Sequence, residues 1–437
     1  MLQIELTRFE SFKRIICDGI NYCWNYEMKG RSEMKRRKKH GMKRIVSGSL
    51  ILSFLLALFP SAEALAAMAP MEERAGQKAA YYQKIIMRDV PECTWDADTR
   101  PSHTTALYDL SGNVNGYIYE YVNEEEPAGF LQIDVSMGEP VLDSYTFGDE
   151  HCAARELRAL PTAICSKKDT EKLVYLSGYA YYLLGETDEE GNTEVYDVLN
   201  HTETEFDRPA AVKAYEEDVM VKRQMRVEKV ATRSGIMSTR GANTITKFVQ
   251  GYTSKRLATY NNVADSSHAG CAAIAGTNIC MYWAVDRGKS KLVQTMKSTF
   301  DELYVDMKVN PTNGLLGGSS SDKAYAGLKQ YINRKGYSIP NSGKAAGSNY
   351  SWNWAVERID RGMPYALPVY DKATLSSTSV PHCVAVFGYQ YIEIENTLIV
   401  ADGNQNSLIY KVYSQYANSY GEYAVNYDGA FAFYVGW

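Results

Sequence analysis

The chain has 437 residues, 23% of them charged, with 47 Lys and Arg against 52 Asp and Glu for a formal net charge of −5. That length is too great for one ordinary core and implies two domains plus appendages. Mild acidity with no basic patch in the part expected to fold excludes a nucleic-acid-binding reading.

Residues 1–33 show no hydrophobic period and read as an upstream extension or a long leader. Met34 to Arg44 is basic, Ile45 to Phe59 is apolar, and Ala62-Glu-Ala64 or Ala64-Leu-Ala66 offers a small-residue cleavage site. These are the three parts of a secretory signal peptide. The apolar run, about fifteen residues including Ser47, Gly48 and Ser49, is short for a membrane span of about twenty, so no stable span is expected after cleavage. The exported part carries Cys93, Cys152, Cys165, Cys271, Cys280 and Cys383, three in each half and with no Cys-x-x-Cys, so neither a disulfide framework nor a zinc site is indicated. No cofactor is called for. An exported protein that folds without disulfides fits a bacterial source.

From Met68 to about Glu205 the pattern is one of hairpins. Leu107 to Asp109, Gly116 to Val122, Gly129 to Val135 and Pro140 to Tyr145 read as short strands parted by Gly- and Pro-rich turns, followed by a pair over Leu173 to Leu184 and Val195 to Leu199. Arg208 to Lys229 reads as a charged, solvated helix, and Val230 to Asn243 as a linker of small, polar and basic residues.

Next comes a polar loop, Asp265 to Gly270, running into an apolar segment from Cys271 to Val285 that contains no Pro and one Gly. Ala272, Ala273, Ile274, Ala275, Ile279, Met281, Tyr282 and Trp283 make it apolar on most faces, which predicts a buried helix. Ser266, Ser267 and Gly270 supply capping and turn chemistry before it. Cys271 would stand at the helix N-terminus, where unpaired N–H groups stabilise a thiolate. The alternative is that Cys271 is a small buried apolar residue, a description that suits Cys280 better. Gly314 to Lys323 lacks the ending of a phosphate loop and reads as a glycine loop capped by Ser321 or Asp322 into a helix from Lys323 to Arg334. Trp352 and Trp354 read as core or cleft residues.

A thiolate nucleophile needs a base, most often histidine. Of the six histidines, His268 and His382 lie in the same half as Cys271. His382 opens an alternating, β-branched and aromatic run to Tyr391 that reads as a core strand, and a second strand from Thr397 to Ala401 ends at Asp402-Gly403-Asn404. Antiparallel pairing would set His382 beside Asp402 or Asn404 as the orienting group, with the register left open. His268 is the rival base, though no strand holds it. Strands around Tyr410 to Tyr416 and Ala430 to Trp437 complete a sheet, so the fold class is α+β.

The segment Gly270 to Trp283 resembles the nucleophile helix of papain-like cysteine peptidases of bacterial type, in particular the streptopain and bacteriocin-processing groups. Pro381 to Tyr389 resembles their histidine strand, Val400 to Gly403 the strand end that carries the third member, and Glu357 to Pro364 the step before the histidine strand. The resemblance covers roughly residues 245 to 437, in the order Cys, His, Asp or Asn. The segment Leu107 to Tyr145 resembles the propeptide of streptopain-type zymogens. One element departs from the pattern. The family pairs the backbone N–H of the cysteine with an upstream Gln in the oxyanion hole, and no Gln stands there, which leaves Asn261, Asn262 or Asp265.

The resemblance implies a secreted zymogen. Residues 67–240 would be a propeptide-like domain and linker acting as intramolecular inhibitor, and residues 241–437 a papain-like peptidase acting on peptides or proteins through Cys271, His382 and Asp402 or Asn404. An acyl or amide transferase would use the same residues, and an inactive module that binds peptide or cell-wall components is the reading from another class. Residues 67–240 hold 18 basic and 32 acidic residues, and residues 241–437 hold 17 and 14. Such a split suits an acidic cover docked by charge and weakened by salt, or two ordinary solvated domains.

Overall fold

The computed structural model describes residues 69–148, 152–176, 181–199, 201–213, 215–217, 219–220, 223, 244–253, 257–263, 270–309, 319–346, 349–369, 382–392, 395–413 and 431–437. The leader, the linker, Asp265, His268, Pro381 and most of the glycine loop lie outside them.

In chain order the elements begin with α1 (Met71–Asp89) and the antiparallel meander β1 (Arg100–Tyr108), β2 (Val114–Asn123), β3 (Glu126–Asp134) and β4 (Val141–Phe147). Two short helices, α2 (Ala153–Ala159) and α3 (Thr162–Cys165), lead to β5 (Leu173–Tyr175), β6 (Tyr181–Thr187), β7 (Asn192–Asp197) and β8 (Thr202–Asp207). β5 runs parallel to β1, so the second meander extends the first. The helix α1 was not anticipated in a stretch read as hairpins. It starts after Pro70 with Glu72 and Glu73 in its first turn, where the helix dipole favours acids, and buries Ala75, Ala79, Tyr82 and Ile86 at helical spacing against β2, β3 and β4.

The second half opens with β9 (Ile245–Phe248), α4 (Tyr260–Val263), α5 (Cys271–Met281), α6 (Met296–Asp306), α7 (Ser321–Arg334), β10 (Asn341–Ala345) and α8 (Trp352–Asp360). It closes with β11 (Tyr365–Val369), β12 (His382–Ile392), β13 (Glu395–Ala401), β14 (Ile409–Val412) and β15 (Ala432–Gly436). The helix expected from Cys271 is α5. Residues 272 to 280 are all buried, as an all-round apolar sequence requires, and the helix packs on β11, β12 and α6 before ending in a π-helical turn, Tyr282–Asp286. At Gly276 a Cβ would stand 3.3 Å from Leu303 Cδ1 of α6, so the two helices pack closely there. The α7 cap is Ser320, whose hydroxyl accepts from the Lys323 N–H, rather than Ser321 or Asp322.

The two halves share one sheet. Its strand order is β10-β15-β11-β12-β13-β14-β4-β3-β2-β1-β5-β6-β7-β8, with β9 added on β12. The joint is β14 against β4, Tyr410 opposite Tyr145 and Lys411 opposite Ser144. The Tyr145 and Tyr410 rings stack at 4.5 Å, and the Tyr145 hydroxyl donates to Gln390 Oε1 at 2.7 Å. Ile392, Ile399, Tyr410 and Val412 enter one core with Ala75, Tyr82 and Leu131. Lys411 Nζ lies 2.7 Å from Asp143 Oδ2 and 2.8 Å from the Tyr175 hydroxyl, with both charged side chains buried. The overall charge difference is therefore not what joins the halves. Backbone pairing, aromatic stacking and a desolvated ion pair do so, and dissolved salt screens such contacts little.

A buried pair is costly to break from one side. Lys411→Met should strand the Asp143 carboxylate and lower stability by about 3–5 kcal/mol in urea unfolding. Combining it with Asp143→Leu should restore most of that loss. A single variant as stable as the wild type would show that the pair does not hold the joint.

Candidate active site

Cys271 is the first residue of α5, after Gly270. A side chain at residue 270 would meet Phe300 Cε2 at 2.9 Å and Tyr304 Cδ2 at 3.3 Å, so glycine is required where α6 covers the helix start. Burial pushes the Cys271 thiol above its ordinary 9.0, outweighing the opposing effect of the nearby Cys383, Ala272 and Cys271 N–H groups and the Tyr260 hydroxyl. Cys280 is sealed inside α5 and its thiol is pushed up further. Cys383, buried on β12, is raised as well.

His382 opens β12, opposite Val369 of β11. The hairpin register with β13 pairs Ala385 with Ala401, so His382 extends past the last pair toward residues 402–404. Its Nε2 lies 2.6 Å from the backbone carbonyl oxygen of Asp402. A carbonyl only accepts, which assigns the ring hydrogen to Nε2 and the lone pair to Nδ1. Burial lowers the imidazole from 6.5 to about 4, so it is neutral at neutral pH and able to take a proton.

Asp402 thus meets His382 through its main chain. Its carboxylate serves its own loop, with Oδ1 accepting from the N–H groups of Asn404 (2.9 Å) and Gln405 (3.2 Å). Gly403, at φ +85°, makes this turn possible, and a Cβ on it would lie 3.1 Å from Ile274 Cγ2. Asp402 Oδ2, both amide atoms of Asn404 and Gln405 Oε1 are buried with no well-aligned hydrogen-bond partner. Burial raises Asp402 from 3.8 to about 6.

The Asn262 amide is fully engaged: Oδ1 accepts from the Thr259 N–H, and Nδ2 donates to the Leu257 carbonyl and, at 3.4 Å, to Asn406 Oδ1. Tyr260, on α4, was not found from the sequence. Its backbone N–H donates to the Gly403 carbonyl at 2.8 Å, tying α4 to the loop after β13. A lone tyrosine among 34 offers no spacing signal that would have singled it out. From the first half, Phe130, Tyr181 and Leu199 line a small cavity together with Asp402 and Gln405, so β3, β6 and the turn after β7 back onto the same loop. Among the described residues no group of His, Cys, Asp and Glu is arranged to hold a metal ion.

Asp402 has a consequence for stability. A carboxyl raised to about 6 in the folded chain and near 3.8 unfolded leaves stability intact below about pH 4 and erodes it as pH rises through 6. Asp402→Asn keeps an oxygen for the two N–H groups and removes the charge, so it should stabilise the chain at pH 8 by up to about 3 kcal/mol. The advantage should vanish near pH 4. Thermal melts across pH 4 to 8 would check this, and a variant less stable at pH 8 would refute it.

Residues 252–427, a span that holds Cys271, His382 and Asp402, match the Peptidase_C39 like family. No curated protein matches the chain. The family match supports a cysteine peptidase of the papain-like type.

Proposed function

We propose that the chain is a secreted bacterial cysteine endopeptidase made as a zymogen, with Cys271 as nucleophile, His382 as base and Asp402 as the group that orients the imidazole. The observation that carries the reading is a helix opened by Cys271 and packed on β12, the strand whose first residue, His382, has its Nε2 held by the Asp402 carbonyl. Fixing Nε2–H leaves Nδ1 as the proton acceptor. In the reaction Nδ1 takes the thiol proton, sulfur bonds the scissile carbonyl carbon, and the carbonyl electron pair moves onto oxygen beside the first-turn N–H groups of α5. The histidine then returns the proton to the leaving amine, and water assisted by the same nitrogen hydrolyses the thioester. An unassisted thiol is only a few per cent ionised near neutral pH, so the base matters.

The zymogen part rests on two supports. Residues of β3 and β6 and Leu199 back onto the Asp402 loop. Burial also drives Cys271, His382 and Asp402 all toward their uncharged forms, which suits a covered site. Cutting the linker between Lys229 and Asn243 would free residues 67–240 to shift from this position, and small and polar residues there suit a protease cleft. Peptide or protein is the substrate class, with the first half of the exported chain as intramolecular inhibitor, and export follows from the signal-like segment between Met34 and Ala66.

Cys271→Ala should abolish peptide hydrolysis and epoxide labelling with the fold intact, while Cys280→Ala retains activity if folded. His382→Ala should lower kcat by roughly 10²–10⁴-fold, and His268→Ala far less. The Cys271→Ala precursor, treated with processed wild-type protein, should acquire a new N-terminus between residues 229 and 243. Hydrolysis by the Cys271→Ala protein would end the nucleophile assignment, and full activity of the uncut precursor would end the zymogen reading.

A further inference from the structure

A pocket of about 370 Å³ opens at the joint between the two halves, and none of Cys271, His382 and Asp402 lines it. We infer that it is a binding site for a small arylalkyl ammonium ion, whose ring lies among Phe147, Phe248, Tyr252 and Tyr410 and whose charge lies beside Glu92.

The apolar part of the argument is the walls, which come from both halves. Phe147 ends β4 and Tyr410 stands on β14, and their rings meet edge to face at 5.6 Å. Phe248 ends β9, and its ring stacks on that of Tyr252 at 5.5 Å with 9° between the planes. Leu257 and Leu408 add aliphatic surface. The walls are braced from behind: the Tyr252 N–H donates to the Val249 carbonyl at 3.1 Å, the Gly148 N–H to the Ala128 carbonyl at 2.9 Å, and the Ser407 and Thr146 hydroxyls meet at 2.7 Å. A pocket preformed in this way loses little on ordering when a ligand enters, and its volume lies within the roughly 300–1,000 Å³ of small-molecule sites. The polar part is the sign of the charge. Among the described residues that line the pocket, Glu92 is the only charged one. It stands exposed in the turn after α1, and desolvation by its neighbours raises its carboxyl above the ordinary 4.5, so a cation brought beside it offsets that loss of water. The faces of four aromatic rings attract the same cation. An anion would meet the Glu92 charge and the negative ring faces together, and a neutral ring would gain the apolar contacts alone.

The test titrates the full exported chain, uncut, with phenethylamine, 2-phenylethanol and 3-phenylpropionate, which share a ring and differ in charge. At neutral pH and low salt, calorimetry should show phenethylamine binding in the millimolar range or tighter, about tenfold more tightly than 3-phenylpropionate, with 2-phenylethanol between them. Because the ligand touches both halves of the joint, it should raise the melting temperature as occupancy rises. Glu92→Gln should weaken the amine to the level of the alcohol and leave the alcohol within about twofold of its wild-type affinity. Glu92→Lys should invert the order, with 3-phenylpropionate bound more tightly than phenethylamine. Glu92 is exposed, so both variants should melt like the wild type without ligand. No saturable binding of phenethylamine in the millimolar range, equal affinity for the three probes, or an order unchanged in Glu92→Lys would overturn the inference. The readout is binding and requires no catalysis, so such a result leaves the peptidase reading untouched.

Discussion

The geometry of the candidate site depends on one irregularity in a strand pair. β12 and β13 are in register from Ile392 to Gly388, shift by one residue at Phe387, and resume at Val386 opposite Val400. In a pleated sheet one extra residue turns every later side chain to the other face. His382 lies beyond the shift, and so faces as it does because of it. The bulge is held from outside the hairpin: the Val249 N–H donates to the Phe387 carbonyl at 2.8 Å, and a Cβ on Gly388 would stand 2.7 Å from the Lys247 carbonyl oxygen. β9, which looks peripheral, therefore fixes which face of β12 carries the base.

A second constraint is desolvation. A helix N-terminus would ordinarily lower a thiol, yet burial raises Cys271. His382 is lowered and Asp402 raised for the same cause. Removing water disfavours every charged form, so the thiol and the imidazole rest neutral near pH 7 and a preformed thiolate-imidazolium pair is disfavoured, whereas the Asp402 carboxyl, raised only to about 6, is ionised there. Any change that admits water around the 402–405 loop would move all three back toward their ordinary values together.

Much of this was legible in the sequence because local pattern reports local structure. The largely apolar, proline-free segment after Cys271 reads as a buried helix, and the alternation from His382 to Tyr391 as a core strand. The same reasoning failed where tertiary contacts decide. Nothing in Phe387 or Gly388 announces a bulge, because the partner that stabilises it lies about 140 residues upstream. That Asp402 would offer its main chain to His382, with its carboxylate turned into its own loop, follows from the turn at Gly403 rather than from the residue type. Tyr260 joins the 402–405 loop only through its backbone tie to Gly403. The helix from Met71 was obscured by the hairpin-rich residues after it, although its buried positions carry the helical period.

The joint between β14 and β4 has a further meaning. β14 is a short strand that pairs with β13 on one side and β4 on the other. Without β4 it would become a sheet margin with unpaired N–H and C=O groups beside Tyr410 and Val412, an invitation to self-association. The strands from β1 to β8 are in this sense an edge guard, and a second half produced alone would carry a sticky border that the joined sheet never exposes.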